Sequence, residues 1–139
     1  MSATAGGAEA EAGNRMGLKP GMTVQELGWD EDVDDDLRVS LEDAIDADLV
    51  DGDHGDVVDA VLLWWRDGDG DLVDALVDSL TDLVGGGAIW VMTPKIGRAG
   101  AVEPSEISEA APVAGLATTT TVAVSKDWAA TRLVAPKTP

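Results

Sequence analysis

Apolar residues recur along this chain with two different periods, and the two alternate. Val33, Leu37, Leu41, Ala44 and Ile45 fall at helical spacing, which predicts an amphipathic helix from about Asp34 to Ala47. Asp34, Asp35 and Asp36 lie in its first turn, where the helix dipole favours negative charge. Val57 to Trp65 is instead a nearly unbroken apolar run interrupted by Asp59, the pattern of a central parallel strand covered on both faces. Leu72, Leu76, Leu80 and Leu83 or Val84 form the next helical stripe, with Asp74, Asp78 and Asp82 opposite. Asp71 is placed to cap that helix and Gly85-Gly86-Gly87 to end it.

Shorter elements fill the intervals. Thr23 to Gly28 reads as a strand after the Pro20-Gly21 turn signal, and Asp48 to Val50 as a short strand. Asp51-Gly52-Asp53-His54-Gly55 is a loop by turn chemistry, and Asp67-Gly68-Asp69-Gly70 a turn. Ala88 to Met92 is a buried strand closed by Thr93-Pro94-Lys95. Pro104 suits the first turn of a helix through Ala111, and Pro112 predicts a kink or a second short helix before Gly115. Thr118 to Ser125 and Thr131 to Ala135 are rich in β-branched residues, joined by Lys126 to Ala130. This order predicts an α/β fold, a mostly parallel sheet flanked by helices with a C-terminal antiparallel hairpin. Residues 1–16 carry no apolar period and are expected to form a disordered tail before a single domain over residues 17–137.

Composition narrows the function classes. At 139 residues and 45% apolar, the chain has the length for one hydrophobic core. It has no cysteine, hence no disulfide, thiolate metal site or cysteine nucleophile. The longest apolar run, Ala60 to Trp65, is too short to span a bilayer, and the N-terminus lacks the basic-then-apolar order of a signal peptide. A cytoplasmic protein is the expectation. The net charge of −18 is uneven: residues 24–82 hold 21 acidic side chains against Arg38 and Arg66 alone. Such a surface repels nucleic-acid backbones and anionic membranes. A basic protein partner could dock on Glu42, Asp43, Asp46 and the acids of residues 30–36, unless these simply form a solvated face.

Leu18-Lys19-Pro20-Gly21-Met22-Thr23-Val24 resembles the lead-in to the first strand of class I methyltransferases. Asp56 to Leu62 resembles their fourth strand, and Leu83 to Val91 their passage into the fifth. More closely, Val61-Leu62-Leu63-Trp64-Trp65-Arg66, Thr93-Pro94-Lys95, the segment Pro104 to Ala110 and Lys126-Asp127-Trp128 resemble a family of short bacterial proteins of unknown function, DUF3052. The resemblance implies a truncated Rossmann-like fold and supplies no activity. Class I methyltransferases place several glycines after the first strand so that the backbone can approach S-adenosylmethionine. Here only Gly28 stands, followed by the bulky Trp29. Residues 29–56 occupy the interval in which the larger fold fits two further strands, and Asp51 is the one acid placed to imitate its ribose-gripping residue. No cofactor is therefore expected, with S-adenosylmethionine as the alternative.

In open α/β sheets, ligands bind outside the carboxyl ends of the strands. That rule gathers Gly28, Trp29, Trp65, Arg66, Thr93 and Lys95 at one rim, joined by Trp128. Trp29 and Trp65 offer stacking faces there, while Arg66 and Lys95 could receive an anionic group. The plainer reading has Trp64 and Trp90 in the core, with Arg66 and Lys95 neutralising nearby aspartates. Asp67-Gly68-Asp69-Gly70-Asp71 invites a calcium loop, but Leu72 and Asp78 stand where glycine and glutamate are needed, so a turn and helix cap fit better. His54 reads as an exposed loop histidine, and no Gly-x-Ser-x-Gly surrounds Ser105, Ser108 or Ser125. The expected function is a non-catalytic binding or regulatory module. The alternatives are a minimal S-adenosylmethionine-binding enzyme, or a subunit of a homo-oligomer or complex whose partner completes the pocket.

Overall fold

The computed structural model describes residues 12–135. Its centre is β2 (Val58–Trp64), where Ala60, Leu62 and Trp64 face one side of the sheet and Val61, Leu63 and then Trp65 the other, all buried. β1 (Val24–Leu27) pairs with β2 in parallel, and so does β3 (Leu83–Pro94). β4 (Ala117–Ala123) and β5 (Trp128–Val134) form an antiparallel hairpin whose β5 lies against β3, giving the order β1-β2-β3-β5-β4. Leu27 stands level with Leu63, and Leu63 with Val91, so the three parallel strands reach their carboxyl ends at one rim.

Each face has its own cover. α1 (Asp35–Ile45) starts at Asp34, whose carboxylate accepts the Leu37 N–H at 3.0 Å, and buries Leu37, Leu41 and Ile45 with Trp64 and Trp90. α2 (Leu72–Ser79), capped by Asp71, and α3 (Pro104–Val113) cover the opposite face over Val61, Leu63 and Ile89. None of these helices is long and apolar enough to cross a membrane.

Five sequence expectations are corrected. Residues 1–11 of the expected tail lie outside the described residues, but 12–15 form a helical turn, and Ala12 and Met16 are buried. The amphipathic signal was hidden there because Gly13 packs directly on Ala44, a contact without a large apolar side chain. Gly85-Gly86-Gly87 do not end α2, which stops at Ser79; they lie inside β3. The register of β2 and β3 shifts between Val58 and Ala60, and Gly87 passes so close to the Asp59 carbonyl that a Cβ would collide with it. Asp48 to Val50 makes only an isolated bridge from Val50 to Gln25. Pro112 sits in the last turn of one continuous α3, where little helix remains to be broken. β5 begins at Trp128, so Lys126 to Ala130 is half strand rather than a connection.

Candidate functional site

Two arginines organise the carboxyl-end rim, and each does so through carboxylates. Arg38 reaches from α1 to Glu26 on β1, donating from Nε at 2.6 Å and from Nη2 at 2.8 Å. Glu26 Oε2 also accepts the indole N–H of Trp64 at 2.8 Å. The Glu26 side chain is only 9% exposed, so one carboxylate satisfies a guanidinium and a buried indole together. The hydrogen bond that Arg38 donates to Glu26 raises the Arg38 pKa above its ordinary value. Trp64 in turn meets the edge of Trp128, with ring centroids 4.8 Å apart at 86°.

Arg66 follows β2 and closes the rim from the other side. It donates to both oxygens of Asp32, at 2.9 Å and 2.5 Å, to the Gly28 carbonyl at 2.8 Å and to Asp69 at 3.3 Å. Its guanidinium also lies 5.6 Å from the centre of the Trp128 ring. Burial disfavours its charge, but the hydrogen bonds and charges of Asp32 and Asp69 outweigh that and raise its pKa. The hydrogen bond from Arg66 likewise lowers the Asp32 carboxyl. Arg66 is thus already neutralised by two carboxylates.

Gly28 is fixed by this geometry. Its φ of 76° is left-handed, and an added Cβ would fall inside contact distance of the Trp64 carbonyl oxygen. The first strand needs glycine here to turn away from β2.

Of the seven rim residues expected from sequence, Gly28, Trp29, Trp65 and Arg66 come together. They line a groove of about 440 Å³ with Leu27, Leu63, Ala75, Asp30, Asp69 and Asp78. Trp29 is 55% exposed on its edge, whereas Trp65 is mostly buried beneath. Thr93 and Trp128 are buried and do not line the groove. Lys95 stays outside it too, half-buried, with its backbone N–H donating to the Asp127 carbonyl at 2.8 Å. Asp51 is also absent from the groove; its carbonyl accepts from the Gln25 side chain. Asp71 caps α2 by accepting the Val73 N–H at 2.9 Å, and His54 is exposed.

Sequence reasoning missed Glu26, Arg38 and Asp32. The signal was present: Glu26 shares the strand face of Val24, which is buried. Within residues 24–82, Arg38 and Arg66 are also the only Lys or Arg against 21 acids, and both are spent on rim carboxylates.

A family model described as a protein of unknown function, DUF3052, matches residues 13–137. The chain belongs to the DUF3052 family. Uncharacterised proteins of Mycobacterium tuberculosis and Mycobacterium bovis are each 53% identical to it over 123 residues, covering 88% of this chain and 77% of the relative. Among solved structures, the pyocyanin biosynthetic protein PhzM is similar with a TM-score of 0.68 at 14% identity, over 93% of this chain and 54% of PhzM. The CcbJ methyltransferase from Streptomyces caelestis is similar with a TM-score of 0.57 at 13% identity, over 96% of this chain and 100% of CcbJ. The DUF3052 chain spans about half the length of PhzM. These likenesses establish a methyltransferase-like Rossmann fold and nothing of activity.

Proposed function

We propose that this DUF3052 protein is a cytoplasmic, non-catalytic binding or regulatory module on a methyltransferase-like scaffold. Its strand-end groove takes a basic, apolar segment of a protein partner. The Arg66 tie is the observation that carries this reading. In the class I methyltransferases that the chain resembles, the segment after the first strand is a glycine loop left open to the cofactor. Here that segment is pinned, because Arg66 holds the Gly28 carbonyl and the Asp32 carboxylate at once. Glu26, just before it, is committed to Arg38 and Trp64.

The groove's remaining character suits a cation better than the anion expected from Arg66 and Lys95. Asp30 and Asp78 line it beside the exposed Trp29 ring, over a floor that includes Leu63 and Trp65. Carboxylates beside an aromatic face attract a lysine or arginine side chain, and the apolar floor accepts a neighbouring aliphatic one. The acids of α1 extend the same field toward a basic partner. The tripeptide Lys-Leu-Lys is expected to change the tryptophan fluorescence saturably, with an effect that weakens with salt and disappears in Trp29→Ala. Glu-Leu-Glu is expected to do nothing. Equal responses to the two peptides, or a response that survives Trp29→Ala, would remove this ligand class.

One observation favours the second reading, a minimal S-adenosylmethionine-binding enzyme. Trp29 stands at the edge of the groove instead of filling it, so the space beside Gly28 is open.

A further inference from the structure

A second cavity, of about 350 Å³, opens at the opposite, amino end of the parallel strands. Arg15 from the N-terminal segment, Gly86 from β3 and the pair Thr120 and Arg132 from the hairpin line it together with Trp90. Trp90 pairs with Arg132, and Arg132 with Thr120, so the three form one row across β3, β5 and β4 on the same face of the sheet.

Arg132 departs from the pattern set by its counterparts. Arg38, Arg66 and Arg98 each hold a carboxylate, at 2.6, 2.5 and 2.8 Å. Among the described residues Arg132 has none, although the chain carries 27 acidic side chains. It is half-buried, and its one side-chain hydrogen bond is a long contact of 3.3 Å to the Thr119 hydroxyl. Asp59 lines the same cavity, but its Oδ2 accepts the Thr23 N–H at 2.8 Å and it makes no ion pair with Arg132. Arg132 therefore faces, in the one acid that lines the cavity, a carboxylate already engaged with the backbone.

We infer that this cavity binds a small monocarboxylate with an apolar body, the carboxylate on Arg132 and the body against Met22 and Ala88. The planar guanidinium fork matches a carboxylate in two parallel hydrogen bonds. A single negative charge is favoured over a polyanion because the surrounding acidic field repels each added charge. The volume falls at the small end of ligand sites. Gly86, at a φ of 86° with nothing near the position of a Cβ, leaves the mouth open.

Calorimetric titration of the whole chain with phenylacetate, phenylacetamide and inorganic phosphate tests this. Phenylacetate is expected to bind saturably, with phenylacetamide and phosphate at least about tenfold weaker, since the first lacks the charge and the second the apolar body. Thr120→Glu places a carboxylate opposite Arg132 on an exposed strand position and is expected to weaken phenylacetate about tenfold at an unchanged unfolding midpoint. Arg132→Gln should do the same. Absence of saturable binding, equal affinity for phenylacetate and phenylacetamide, phosphate as tight as phenylacetate, or indifference to Thr120→Glu would each overturn the inference.

Discussion

Gly28→Ala is expected to destabilise the protein by about 4 kcal/mol or more, at the upper end of single-residue effects. Two causes add. The left-handed φ of 76° costs an L side chain about 1–2 kcal/mol by itself. The new Cβ also meets the carbonyl oxygen and carbon of Trp64, backbone atoms that cannot rotate aside. Relief requires β1 and β2 to part at Leu27 and Leu63, which also pulls the Gly28 carbonyl from Arg66. A loss of that size consumes a large part of the roughly 5–15 kcal/mol that holds a domain together. Thermal unfolding followed by tryptophan fluorescence should show a midpoint lower by about 10 °C or more. Gly86→Ala is the control. It shares a positive φ but meets nothing within 4 Å, so only the backbone cost of about 1–2 kcal/mol applies.

The second large effect belongs to Glu26→Leu. Removing one partner of a largely buried ion pair costs about 3–5 kcal/mol, because the other charge is left behind. Here Arg38 loses both of its short hydrogen bonds, and the fully buried Trp64 loses the acceptor of its indole N–H. The double variant Glu26→Leu/Arg38→Leu should recover a good part of the loss, since it removes the stranded guanidinium. Glu26→Gln should fall between, keeping an acceptor for Trp64 while giving up the charge. Urea unfolding of the four proteins measures these differences directly, and equal stability of Glu26→Leu and the parent would refute the role given to this carboxylate.

The fold was legible wherever burial imposed a period. The nearly unbroken run at β2, the leucine stripe of α2 and the β-branched hairpin each mark an element whose faces have a definite neighbour. Legibility failed where local chemistry and tertiary pairing disagreed. Three consecutive glycines look like a helix stop, yet in β3 they answer a register shift against Asp59 that no local pattern announces. Ala12 to Met16 lacks an apolar stripe because its packing depends on a glycine lying on an alanine. At the rim, the strand-end rule brought together Gly28, Trp29, Trp65 and Arg66 correctly as neighbours. It could not give the direction of Arg66, because Asp32 and Asp69 reach it from separate loops. Thr93 and Trp128 were placed at the right end of the sheet, but they point into packed interior.

If the methyltransferase-like scaffold serves as the proposed binding module, its pinned strand-end segment should not open to S-adenosylmethionine. The most direct test is thermal unfolding, read by tryptophan fluorescence, with S-adenosylmethionine and S-adenosylhomocysteine titrated to millimolar concentration. An unchanged midpoint is expected with both. A saturable rise would contradict it: ligand at about 100 times its dissociation constant adds about 2.7 kcal/mol, a shift of several degrees, and would restore the open groove beside Gly28 as a cofactor site.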